Sequence, residues 1–116
     1  MSVLIVDDNP ALRGLMRSMI GDLTNAVYEC GDGSQALALY ETHRPDWVLM
    51  DLQMKEMDGL TATRQILARN PGARIVMVTQ HSSPALRAEA ASAGVVGFVV
   101  KADLISLRGL LSGHPL

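Results

Sequence analysis

Short apolar runs recur along the chain, each followed by a stretch in which apolar residues return every third or fourth position. The runs cover residues 3–6, 26–30, 46–50, 74–78 and 96–100. The first, third and fourth are almost continuously apolar, as a strand covered on both faces must be. Strands alternating with helical patterns imply βαβ crossovers, so the expected architecture is a five-stranded parallel sheet, doubly wound, with helices on both faces.

The helix boundaries carry their own signals. Asn9 followed by Pro10 reads as an N-cap with proline in the first turn, and Leu12, Leu15, Met16, Met19 and Leu23 then recur at helical spacing. Ser34 is placed to cap a second helix, which turns Leu37 and Tyr40 inward and ends before Pro45. Asp58 is placed to cap a third, with Leu60, Ile66 and Leu67 apolar and a stop at Asn70-Pro71-Gly72. Ser83-Pro84 repeats the cap-and-proline device for an alanine-rich fourth helix ending at Gly94. A short fifth helix begins near Asp103 and carries Leu104, Ile105, Leu107, Leu110 and Leu111, more apolar residues than one side of it can bury. Ile105 and some of those leucines are therefore expected at the surface.

Length and composition narrow the class. Residues 1–116 have the size of a single domain, and a composition of 48% hydrophobic and 19% charged residues suits a globular fold. No apolar stretch reaches the length of a membrane span, and no basic segment or small-residue cleavage site opens the chain, so a cytoplasmic protein without membrane contact is expected. Cys30 is the only cysteine, which excludes an intrachain disulfide and a multi-cysteine metal site. A net charge of -2, with Arg13, Arg17, Arg64, Arg69 and Arg74 scattered, supplies no basic field for direct nucleic-acid binding. Met16, Met19, Met50, Met77, Tyr40 and Trp47 read as packing, and His43 and His114 as helix-end and tail residues.

The chemistry gathers at the strand ends. Asp7 and Asp8 close the first run, Asp51 the third, Thr79 the fourth and Lys101 the fifth. Parallel strands send their carboxyl ends to one edge of a sheet, where open α/β folds bind ligands. Carboxylates crowded there repel one another, and a hard cation such as Mg²⁺, which binds through carboxylates, waters and phosphate, relieves the repulsion. With a hydroxyl and an ammonium beside them, the acids have the parts for phosphoryl chemistry at a carboxylate. Singly, each residue has an ordinary explanation: acids at a helix start, a loop acid, a β-prone threonine, a solvated lysine. Coincidence does not account for all of them at one edge.

These residues resemble the receiver domains of two-component response regulators, over essentially the whole chain. Val6-Asp7-Asp8 matches the acidic pair of that family, and Met50-Asp51-Leu52-Gln53-Met54 with Met57-Asp58-Gly59 matches the phosphoacceptor strand and loop. Val78-Thr79 matches the switch hydroxyl, and Gly97-Phe98-Val99-Val100-Lys101 the aromatic switch and the lysine. The resemblance implies a flavodoxin-like strand order 2-1-3-4-5 and a phosphoryl group passing from a histidine kinase to Asp51. It implies Mg²⁺ held by Asp8, Asp51 and the backbone carbonyl of Gln53, with Asp7 acting mostly through a coordinated water. Lys101 would pair with Asp51 or its phosphate, Thr79 would move to bond the phosphoryl group, and Phe98 would swing inward behind it. The surface of the fourth helix, fifth strand and fifth helix would then change and dock an effector or a second copy, giving a possible homodimer. Such a chain is no enzyme beyond assisting its own phosphorylation and dephosphorylation.

The chain departs from the family pattern in places. Lys55 stands where a proline is common and removes a φ restraint from the loop after Asp51. Gln80 replaces a usually small residue beside the switch threonine. Gln53 and His81 hold the positions that modulate phosphoryl lifetime in the family. Lys101-Ala102-Asp103 replaces a Lys-Pro pair and, with Asp8-Asn9-Pro10, looks more like receivers of regulators that carry a helix-turn-helix output domain, although a single receiver domain is expected over residues 1–116. Two rival functions fit less well. A haloacid-dehalogenase phosphatase needs an Asp-x-Asp nucleophile pattern, and a flavodoxin-like FMN carrier needs a Ser/Thr/Gly phosphate loop where this chain has Asp7-Asp8-Asn9-Pro10. A receiver fold used for docking or dimerisation irrespective of phosphorylation is the remaining alternative.

Overall fold

A computed structural model describes residues 1–113. The apolar runs form β1 (Ser2–Val6), β2 (Ala26–Cys30), β3 (Trp47–Asp51), β4 (Ile75–Thr79) and β5 (Gly97–Val100). All pair in parallel, in the order β2-β1-β3-β4-β5, which is the doubly wound, flavodoxin-like arrangement expected. Between them lie α1 (Pro10–Ile20), α2 (Ala36–His43), α3 (Gly59–Arg69) and α4 (Pro84–Ala93), with α5 (Ser106–Ser112) last.

Side chains alternate across a strand, so each strand feeds two cores. Leu4, Val6, Val48, Met50, Ile75 and Met77 pack with Tyr40 of α2, Leu60 and Ile66 of α3 and Ala90 of α4. On the opposite face Val3, Ile5, Trp47, Leu49, Val76 and Val78 pack with Met16 and Ile20 of α1 and Leu107 and Leu111 of α5. Cys30 is buried in the first of these cores. Among the described residues no helix is long and apolar enough to cross a membrane.

Three caps are found where expected: Asn9 Oδ1 accepts from Ala11 N at 3.0 Å, Asp58 from Thr61 N at 2.8 Å and Ser83 from Leu86 N at 3.2 Å. Ser34 is not a cap. Asp32 takes that role, its carboxylate accepting from Ser34 N at 2.8 Å, and a 3-10 turn over Gly33–Gln35 leads into α2. An ionised carboxylate is the stronger acceptor at a helix start, and the Ser34 hydroxyl instead lies 3.3 Å from Glu56.

Strand limits also shift. β3 and β4 each begin and end one residue later than the apolar pattern suggests, because Asp51 and Thr79 stay in the backbone ladder opposite Val78 and Val100. Hydrophobic pattern reports side-chain burial, whereas pairing is made by backbone groups that a polar residue supplies equally well. Leu15 is exposed, unlike Met16 and Ile20, and Leu37 is only half-buried. The fifth helix starts at Ser106, after a 3-10 turn over Lys101–Asp103, and not near Asp103. Leu104, Leu107 and Leu111 are buried, Leu110 is partly so, and Ile105 is 68% exposed, as the apolar surplus predicted. The expectation for His114 lies outside the described residues.

Candidate functional site

The ends of β1, β3, β4 and β5 meet above the sheet. Ladder register sets this up: Val6 lies opposite Met50, Asp51 opposite Val78, and Thr79 opposite Val100. The residues at those ends therefore converge without any long loop. Asp7, Asp8 and Asp51 each offer an oxygen, and these oxygens lie within 4.8 Å of one another. Lys101 Nζ is 3.1 Å from Asp7 Oδ2 and 3.0 Å from Asp51 Oδ1. A cleft of about 220 Å³ opens over them, lined by Asp8, Asp51, Gln53, Thr79, Gln80, His81 and Lys101.

Burial is graded across the acids. Asp7 is fully buried, Asp51 nearly so, and Asp8 is exposed at the rim. Asp7 Oδ1 accepts from Asn9 N at 2.9 Å, while Oδ2 lies 3.1 Å from the Lys101 ammonium and, among the described residues, has no well-aligned hydrogen bond. Asp51 Oδ1 accepts from Leu52 N at 3.0 Å. Burial raises the Asp51 carboxyl above its ordinary value, the Asp7 charge adds to that and Asp8 adds further, while Lys101 opposes all three. For Lys101 burial pulls downward, but its bonds to Asp51 and Asp7 outweigh it and leave the ammonium more firmly protonated than usual. The site therefore holds more negative charge than its one lysine balances. That donor set, all oxygen and clustered within 4.8 Å, fits a hard divalent cation.

The other expected residues are close by. Thr79 is buried, its Oγ1 accepting from His81 N at 3.2 Å. Gln53 and His81 are exposed on the cleft walls. Phe98 is not in the cleft; it lies half-buried on β5, with the Arg87 guanidinium of α4 over its ring at 4.5 Å. Arg87 was missed by reading the sequence, as was Arg13, whose Nη1 donates to the Asp7 carbonyl at 2.7 Å while Nε pairs with Glu29 at 3.1 Å. Neither has a sequence signal, because a scattered arginine is indistinguishable from a solvated one until its neighbours are known.

An open parallel α/β sheet that gathers carboxylates, a hydroxyl and an ammonium at its carboxyl edge defines a domain of the doubly wound class, which places its ligands at that edge. The family model for the response regulator receiver domain matches residues 3–110, and the chain belongs to that family. It is 38% identical over 104 residues to the chemotaxis protein CheY of Bacillus subtilis, covering 85% of this chain and 83% of that protein. It is 33% identical over 121 residues to the transcriptional activator protein ExaE of Pseudomonas putida, covering 98% of this chain but 56% of that protein. It superposes with a TM-score of 0.84 on a chain of the CheX-CheY-BeF3-Mg+2 complex from Borrelia burgdorferi, at 28% identity over 97% of this chain and 88% of that one. Receiver domains are signalling switches of two-component systems and not enzymes in the ordinary sense.

Proposed function

We propose that residues 1–116 act as one phosphorylatable receiver switch, in the cytoplasm, with Asp51 accepting the phosphoryl group of a histidine kinase. The observation that carries this reading is the position of the Asp51 carboxylate: nearly buried, 3.0 Å from Lys101, beside Asp7 and Asp8, and open to the cleft. An Asp51 oxygen would bond to phosphorus as the phosphorus–nitrogen bond of a phosphohistidine breaks, the departing imidazole nitrogen taking a proton from water. Lys101 is held where it would neutralise charge on the transferred group. Asp8, Asp51 and the Gln53 carbonyl would hold Mg²⁺, with Asp7 reaching it through water; when bound, the ion neutralises the phosphoryl oxygens as they approach. Gln53 and His81, on the walls, would set how readily water reaches the phosphoryl group.

The readout would run through Thr79 and Phe98. Thr79 lines the cleft, and its move to the phosphoryl group would leave room behind it for the ring of Phe98, which would then give up its contact with Arg87. Val96 and Ile105, 55% and 68% exposed, lie directly before β5 and directly before α5, and an effector or a second copy of the chain would dock on that face. Incubation with acetyl phosphate and Mg²⁺ should add one acid-stable, base-labile phosphoryl group, found on Asp51 by mass spectrometry and absent from Asp51→Asn. No modification of the wild type at any donor concentration, or equal modification of the variant, removes the proposal.

A further inference from the structure

The loop from Leu52 to Asp58 carries the Gln53 carbonyl, yet it contains neither proline nor glycine and has no regular structure. One end is secured by the burial of Leu52 and by Gly59 N donating to Leu52 O at 2.8 Å. The other end is secured where Asp58 caps α3, its carboxylate accepting from Thr61 N at 2.8 Å, which leaves the stretch between, over Glu56 and Met57, to be held from elsewhere.

Asp32, far away in the chain, supplies the missing restraint. Its Oδ1 accepts from Glu56 N at 3.1 Å, and its Oδ2 accepts from Met57 N at 3.2 Å and from Ser34 N at 2.8 Å. Those bonds hold the Asp32 carboxyl below its ordinary value, that from Ser34 being the largest cause, so the group is anionic at neutral pH. A second feature presses the same two segments together. A Cβ on Gly33 would lie 2.5 Å from the Met57 carbonyl oxygen and 3.2 Å from that of Asp58, so only glycine allows the turn after β2 to sit this close to the loop. The Asp32-Gly33 pair therefore clamps residues 56–57 from outside, and Gln53 lies between that clamp and the anchored Leu52.

We propose that Asp32 is a positioning residue for the cation site: through the Glu56 and Met57 amides it fixes the loop so that the Gln53 carbonyl stands ready as a ligand beside Asp51. It touches neither the cation nor the phosphoryl group. The role rests on the metal reading given above and makes a stronger claim, that the metal-free site is pre-organised from the β2 side of the sheet. Supports one step removed from a metal commonly govern its affinity by about ten- to a hundredfold.

The test uses the whole chain as wild type, Asp32→Ala, Asp32→Asn and Gly33→Ala, each checked for an unchanged circular dichroism spectrum. Mg²⁺ titration followed by amide NMR, and hydrogen exchange of the Gln53, Glu56 and Met57 amides without metal, are the readouts. Asp32→Ala should weaken Mg²⁺ binding about tenfold and speed exchange at these loop amides while the amides of β3 stay protected. Gly33→Ala should do the same by lifting the clamp. Asp32→Asn keeps one acceptor oxygen and should fall between wild type and alanine. Phosphorylation by acetyl phosphate should slow in Asp32→Ala at limiting Mg²⁺ and recover at saturating Mg²⁺. Wild-type affinity and unchanged loop exchange in folded Asp32→Ala would overturn the inference while leaving the receiver reading intact. If the wild type itself neither binds Mg²⁺ nor accepts phosphate, it is the receiver reading that fails.

Discussion

Asp51 concentrates the conflict at the scale of single residues: as the proposed phosphoacceptor it must be ionised, yet burial and the neighbouring Asp7 both favour its protonated form. Its folded value lies above its unfolded one, so its contribution to stability is full below the ordinary value of about 3.8 and is lost as pH rises through the raised value. In metal-free protein at neutral pH the ionised group is therefore a burden, and Asp51→Asn should melt higher than wild type. The gap should narrow as pH falls toward 4, where the wild-type carboxyl also becomes neutral. Melts from about pH 4.5 to 7.5 with chelator present decide this, and a gap that is absent or widens toward acid would contradict the assignment. Asp22 and Asp46 have the opposite sign. Their bonds to Arg108 and to Ser2 depress them, so what they contribute disappears only when pH falls below the ordinary carboxylate range.

Helix α1 shows why spacing alone overstates a core. Leu12, Leu15, Met16 and Met19 all recur at helical intervals, yet Met16 is 1% exposed and Leu15 is 49% exposed. The helix meets the sheet through one stripe, and Leu15 falls on its outer shoulder. Met16→Ala should accordingly cost about 2–5 kcal/mol in denaturant unfolding, as for other large-to-small core changes, whereas Leu15→Gln should stay within about 0.5 kcal/mol. Equal costs would mean that the outward placement of Leu15 is wrong. The cap is a smaller effect: Asn9 satisfies two α1 amides, so Asn9→Ala should cost about 1 kcal/mol. At the other end of the chain, α5 spends its apolar surplus on the surface through Ile105.

For the whole molecule, the proposed cation binding would be linked to folding, because only the folded chain brings Asp8 and Asp51 together. At ten times its Kd, Mg²⁺ should stabilise the fold by about 1.4 kcal/mol. That gain should vanish in the Asp8→Ala, Asp51→Ala double variant, and calorimetry with and without Mg²⁺ measures it. A gain that persists there would locate the ion elsewhere. The Val96 and Ile105 surface gives a second global expectation, that beryllofluoride with Mg²⁺ promotes self-association in sedimentation and that Ile105→Ser suppresses it. A strict monomer in both states would leave that surface to a partner or to an adjoining domain.

The alternation of strands and helices along the chain, three of the helix caps, the inner residues of the sheet and the strand-end acids were all legible in the sequence, because each is written in local terms. Continuous apolar runs mark covered strands, a polar residue before proline marks a helix start, and an acid directly after a strand must emerge at the sheet edge. The strand order and the individual roles at the site came through resemblance to a family, since nothing local states which strands adjoin. Only the tertiary structure decided which acid caps the approach to α2, which side of α1 faces water, and how Arg13, Asp32 and Arg87 are employed. Those residues act through backbone amides, carbonyls and rings supplied by distant segments. A polar side chain shows its type in the sequence, whereas the identity of its partner exists only once the chain has folded.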